Sequence, residues 1–165
     1  MRQRALIAMA LACNPKLVIA DEPGTALDVI VQAQVLHLMR DLKEKLNLSM
    51  ILISHDLSII AETCERVAIM YAGNMMEYGN TSSVFHEPLH PYTQGLIQAF
   101  PDIHGEKRKL TSIPGQIPDL LAPPTGCRFN PRCPYVMNVC KTVQPPMIEM
   151  RPNHYVACYL YPSKS

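Results

Sequence analysis

The stretch Leu17-Val18-Ile19-Ala20-Asp21-Glu22-Pro23 constrains this chain more than any other. An aliphatic run that stops at two adjacent carboxylates reads as a buried parallel strand delivering acids to the edge of a sheet. The proline that follows closes the strand, because it has no amide to give to a ladder. A second aliphatic run, Met50-Ile51-Leu52-Ile53, ends in Ser54-His55-Asp56, which puts a histidine at the end of another strand.

Between and around these runs the pattern alternates. Residues 2 to 13 read as a helix, buried over Ala5 to Ala12. Val29 to about Leu46 reads as a second, with Val31, Val35, Leu38, Met39, Leu42 and Leu46 on the 3.6 period. Asp28 is its natural N-cap and Asn47 its stop. Leu57 to Glu65 is expected as a short helix and Arg66 to Tyr71 as a third strand. Gly73-Asn74 should turn the chain into a hairpin with Met75 to Tyr78. Thr81 to Phe85 and His90-Pro91-Tyr92 to about Phe100 read as helices. Strand and helix alternation over residues 1 to 72 implies an α/β layer with parallel strands, whose chemistry gathers at the strands' carboxyl ends.

Composition bounds the rest. At 165 residues with 48% hydrophobic content, the chain can bury an ordinary core. Its formal net charge of +1 gives no global field for nucleic acid. All but two of the prolines fall from Pro88 onward, so a regular first part gives way to a loop-rich second part. No apolar run is long enough to span a bilayer. The start imitates a signal peptide, but the strand that follows leaves no place for a cleaved leader, and Ala5 to Ala12 reads better as helix.

Asp21 and Glu22 cannot be apolar packing, and a divalent cation is a good partner for them. One acid can organise Mg²⁺ while its neighbour positions a water, and His55 adds a donor at the same edge, a set suited to phosphoryl transfer. The bland alternatives are a polar turn at Asp21-Glu22-Pro23 and a capped helix start at Ser54-His55-Asp56.

In order and spacing these residues resemble ATP-binding cassette ATPases. Leu17 to Glu22 resembles the Walker B strand, Thr25-Ala26-Leu27-Asp28 the D-loop, Ser54-His55-Asp56 the switch histidine, and Met1-Arg2-Gln3-Arg4 the residues after the signature motif. Gly24 stands where that family usually has Thr or Ser. His90-Pro91-Tyr92, a helix and a proline-rich tail with spaced cysteines resemble the C-terminal extension of the oligopeptide, dipeptide or nickel importers. The resemblance implies a partial P-loop NTPase (RecA-like) layer over residues 1–86 and an irregular Pro- and Cys-rich extension over 87–165. It implies ATP as substrate, Asp21 at Mg²⁺, Glu22 polarising the hydrolytic water, His55 at the γ-phosphate and Asp28 at a dimer interface. It further implies permease subunits and a second ATPase subunit as partners, no nucleic acid, and a place at the cytoplasmic face of the membrane.

Cys127, Cys133, Cys140 and Cys158 are four soft ligands on loop spacing, which suits Zn²⁺ or a [4Fe–4S] cluster, though close Cys-x₂-Cys pairs are missing. Unlinked thiols or disulfides are the alternative. The importer resemblance favours iron–sulfur, with a structural role. His86, His90, His104 and His154 share no ligand spacing and read as exposed or hydrogen-bonded. The sequence contains no Gly-x-x-x-x-Gly-Lys-Ser/Thr, no Leu-Ser-Gly-Gly and no glutamine loop. It is therefore expected to be the C-terminal half of an ATPase begun at an internal methionine, inactive alone; the alternative is a non-catalytic iron–sulfur or zinc binding interaction module left from a truncated transporter gene. In the family's sheet order a phosphate-loop strand would separate the His55 strand from Arg66 to Tyr71. Those two strands are then expected either to re-pair or to leave an open apolar edge.

Overall fold

The computed structural model describes residues 2–25, 27–99 and 112–162. They form two compact units that meet in sequence at Cys64 and Glu65.

The first unit runs α1 (Arg2–Leu11), β1 (Leu17–Asp21), α2 (Val29–Leu46), β2 (Ser49–Ile53) and α3 (Leu57–Thr63). β1 and β2 pair in parallel, Leu17 opposite Ser49 through Asp21 opposite Ile53, so both chains leave the ladder at the same edge. The Glu22 amide adds one more rung to the Ile53 carbonyl at 2.9 Å. α2 starts where Asp28 accepts the Val31 amide and ends where Asn47 turns left-handed, at φ 49°. The Leu48 amide closes back on the Lys43 carbonyl and its side chain is buried, which completes a Schellman stop. Ala20, Val35 and Met39 form the core, with Ile7, Val31, Met50 and Leu52 packed against them.

Two expectations change here. The first helix forms, but Leu6 and Met9 are exposed and only its Ile7 side meets the core, so it is not a buried helix in this unit. Among the described residues the parallel layer consists of β1 and β2; Leu17, Ile19, Ile51 and Ile53 of that sheet are about half exposed or more.

The second unit begins with β3 (Arg66–Tyr71) and β4 (Asn74–Asn80), an antiparallel hairpin. Its two-residue turn is Ala72-Gly73, one residue earlier than expected, and both have positive φ, at 47° and 80°. That is the pattern of a turn that follows strand twist. β3 therefore belongs to an antiparallel sheet and does not re-pair with β2. α4 (Thr81–His86) and α5 (Pro91–Gln98) follow, then a 3₁₀ turn at Asn130–Arg132, α6 (Asn138–Thr142), β5 (Ile148–Arg151) and β6 (His154–Val156). β6 pairs with β4, giving the order β3-β4-β6-β5, so the tail supplies half of the sheet. The compact unit that contains this sheet begins at Glu65. The expected end of α5 at Phe100 lies outside the described residues, as does His104.

Candidate functional site

The two acids at the end of β1 have different fates. Asp21 keeps its place in the ladder and is exposed. Glu22 takes a left-handed backbone at φ 46°, uncommon for a residue with a side chain. It thereby swings its carboxylate toward the end of β2. Its Oε1 accepts the His55 amide at 3.0 Å and lies 2.8 Å from His55 Nδ1. Its Oε2 accepts the Thr25 hydroxyl at 3.3 Å. The His55 side chain is 84% exposed, so the pair is open to water.

The electrostatics follow from this contact. The His55 hydrogen bond holds the Glu22 carboxyl below its ordinary value, and the Glu22 carboxylate holds the His55 imidazole above its own. Engaging Nδ1 leaves Nε2 for another partner. Glu22, Gly24, Thr25, Ser54, His55 and Asp56 line one pocket, and neither Asp21 nor Asp28 does. Asp28 spends its carboxylate on the α2 cap at 2.8 Å, and Asp56 caps α3 through the Ser58 amide at 2.9 Å. The capped-start reading of Ser54-His55-Asp56 thus holds for Asp56, while His55 serves the pocket. Thr25 as a partner of Glu22 was not marked in the sequence, although it lies only three residues away.

The tail builds a second site. Cys127, Cys133, Cys140 and Cys158 line a single pocket together with His90. Cys127 and Cys140 are buried and the other two half-buried; all four are free thiols. The approach of the Cys127 loop to α6 depends on Gly126, at φ 67°: a Cβ there would lie 2.4 Å from the Cys140 carbonyl oxygen. The Cys127 amide donates to that same oxygen at 2.9 Å.

Burial pushes the thiols of Cys127 and Cys133 up, and that of Cys158 up to about 11. A backbone amide two residues further on opposes this at each: Phe129 for Cys127, Tyr135 for Cys133, Leu160 for Cys158. Such i+2 amides favour a thiolate, the form a metal needs. Among the described residues no three of His, Cys, Asp or Glu are drawn together as ligands of one ion.

Beside this pocket lies a polar knot that sequence reading missed. Glu77 on β4 is fully buried. Its Oε1 accepts the Leu89 amide at 2.9 Å and lies 2.7 Å from His154 Nε2, and its Oε2 accepts the His90 amide at 2.8 Å. An acid in an otherwise apolar strand stretch was the available signal. His90 and His154 are hydrogen-bonded, as expected, but each is only 1% exposed.

This chain is similar to several known proteins. Residues 76–140 match the family described as oligopeptide/dipeptide transporter, C-terminal region. The oligopeptide transport ATP-binding protein OppD of Escherichia coli (strain K12) is 51% identical over 96% of this chain and 47% of the relative. AppD, the oligopeptide transport ATP-binding protein of Bacillus subtilis (strain 168), is 52% identical over 98% of this chain and 49% of its own. The dipeptide transport ATP-binding protein DppD of E. coli K12 is 45% identical over 98% and 49%. The chain spans about half the length of the curated relatives it matches. A solved structure described as an inward-facing conformation of a metal-chelate type ABC transporter superposes with TM-score 0.50 and 28% identity, over 58% of this chain and 36% of that one. No described helix is long and apolar enough to cross a membrane. Sequence and fold together make this chain a counterpart of the C-terminal part of the oligopeptide/dipeptide ABC transport ATP-binding proteins.

Proposed function

We propose that this chain supplies the hydrolytic half of an ATPase that drives peptide uptake. The observation that carries the reading is the Glu22–His55 contact of 2.8 Å at the carboxyl ends of two parallel strands. Glu22, ionised and held by His55 and Thr25, orients and polarises a water. His55, whose imidazole is biased toward its charged form, offers Nε2 to a phosphate oxygen. Asp21, exposed at the strand end, is free to organise Mg²⁺, which neutralises developing charge on the phosphates when bound. Asp28, fixed at the start of α2, faces a second ATPase subunit. Permease subunits complete the assembly at the cytoplasmic face of the membrane, and residues 1–86 and 87–165 act as catalytic half and importer extension.

Four soft thiols around one pocket, three with i+2 amides, suit a thiolate-bound group. The resemblance to the peptide importers favours an iron–sulfur cluster, and we assign Cys127, Cys133, Cys140 and Cys158 to it, with Zn²⁺ the alternative. The group staples a segment poor in apolar periodicity.

The test is reconstitution with the phosphate-loop half of a related importer ATPase. The chain alone is expected to show no ATPase activity. The reconstituted pair should hydrolyse ATP and lose at least about 100-fold in rate on Glu22→Gln, the scale of a lost general base. Full activity of that variant would sink the assignment.

A further inference from the structure

Gly24, in the loop between β1 and α2, has no backbone reason to be glycine, since it does not share the positive φ of Gly73, Gly115 and Gly126. Its reason is spatial. A Cβ built there would lie 2.7 Å from Gln32 Cγ, 2.8 Å from Cδ and 3.0 Å from Nε2. Gln32 stands one turn into α2, where its backbone amide donates to the Asp28 carbonyl at 2.9 Å. Side chains on a helix lean toward its N-terminus, so this one folds back over the loop. It is half-buried and lines the same pocket as Glu22, Thr25 and His55. Its carboxamide meets no hydrogen-bond partner among the described residues. The Glu22 carboxylate beside it is nearly full: Oε1 takes two donors from His55, and Oε2 takes the Thr25 hydroxyl. Of the roughly four lone-pair sites on a carboxylate, this leaves about one, on Oε2.

We propose that Gln32 is a positioning residue that holds the hydrolytic water against Glu22 Oε2, and that Gly24 is what admits its side chain to the pocket. The inference rests on reading Glu22 as the carboxylate that polarises this water, and it adds the water's second anchor. A water that donates one proton to Oε2 and the other to the Gln32 side-chain oxygen keeps both lone pairs free to face a phosphorus atom. Held by Glu22 alone, it would swing about a single hydrogen bond and spend less time in line for attack. The carboxamide is neutral, so it adds no charge to repel phosphate oxygens. In this role Gln32 acts on the rate and not on the affinity for ATP. The close approach at Gly24 falls on a flexible side chain and not on backbone. A methyl group there therefore displaces Gln32 at little cost in stability.

Two variants remove the anchor by different routes. Gln32→Met keeps the length and bulk of the side chain without its polar atoms, and Gly24→Ala turns an intact Gln32 out of the pocket. The full chain, reconstituted with the phosphate-loop half of a related importer ATPase, is read for kcat and for KM of ATP. The chain alone is read for the His55 titration by NMR and for its thermal midpoint. Each variant should lower kcat about tenfold, the worth of one neutral hydrogen bond in the transition state, with KM unchanged. The double variant should lose no more than either alone, because both remove the same anchor. The His55 titration should stay as in wild type, since its contact with Glu22 is untouched. A kcat unchanged by Gln32→Met, in a pair that Glu22→Gln still inactivates, overturns the role of Gln32 and leaves the hydrolytic reading standing. So does a raised KM with kcat intact, a shifted His55 titration, or losses that multiply to about hundredfold in the double variant. Should Gln32→Met fail to fold, an unchanged kcat in Gly24→Ala overturns it. A wild-type pair without Glu22-dependent hydrolysis overturns the hydrolytic reading and this inference with it.

Discussion

Glu22 shows how much one backbone angle decides. In an extended conformation it would point to the face opposite Asp21; at φ 46° it reaches His55 instead. The pair's linkage to pH has two limbs. His55 is raised above 6.5, so its part is present below that value and is lost as pH rises through the raised one. Glu22 is lowered below 4.5, so its part is present above that value and is lost as pH falls through the lowered one. Glu22→Gln should therefore bring the His55 titration, followed by NMR of its ring protons, down toward the ordinary histidine value. No change would mean that the two do not interact in solution. Glu77 is the second such residue. Glu77→Gln must turn its amide group toward either the His90 amide or the pair formed by Leu89 and His154, setting donor against donor in a buried place. We expect a loss of about 2–4 kcal/mol. All seven tyrosines lie in the second unit, so tyrosine emission during urea unfolding reads it directly.

At the scale of elements, α2 and the Cys127 loop illustrate opposite kinds of legibility. α2 was readable from both ends because its signals are local: Asp28 reaches the Val31 amide and Asn47 turns left-handed, with no help from distant residues. The loop was not, because Gly126 matters only through α6, fourteen residues on. A Cβ on Gly126 would meet the Cys140 oxygen at 2.4 Å and the Thr142 amide at 2.9 Å, in a backbone region that already disfavours side chains. Gly126→Ala should cost about 2–4 kcal/mol through strain and displacement of α6. It should also reduce metal uptake by the four cysteines, measured as metal bound per chain against the same variant's thermal midpoint. Undiminished uptake would show that α6 can move without opening the site.

For the whole molecule, pH should act on the second unit through His90. Its folded-state pKa lies near 4 against 6.5 for an exposed ring, so the unfolded chain takes up the proton first as pH falls. Stability is highest above about pH 6.5, declines toward pH 4 and levels off below, by about 3 kcal/mol in all. The groups against His90 do not offset this: Glu77 is spent on the His90 backbone amide, the Leu89 amide and His154. Urea midpoints read by tyrosine emission should fall across this interval in wild type and much less in His90→Asn.

What the sequence settled by itself was whatever short-range chemistry dictates. The aliphatic runs at Leu17–Asp21 and Ser49–Ile53 became parallel strands, and their shared edge brought Glu22 and His55 together. The caps of α2 and the β3–β4 hairpin were readable for the same reason. Tertiary structure alone decided the partners of residues far apart in the chain. β3 lies in an antiparallel sheet because it pairs with β4, which in turn pairs with β6, contributed from nearly eighty residues away. It also placed His154 on Glu77, and the fold of the same unit gathered His90 and four cysteines around one pocket. Such contacts leave no periodicity to read, because their energy comes from groups that meet only once the sheet has closed.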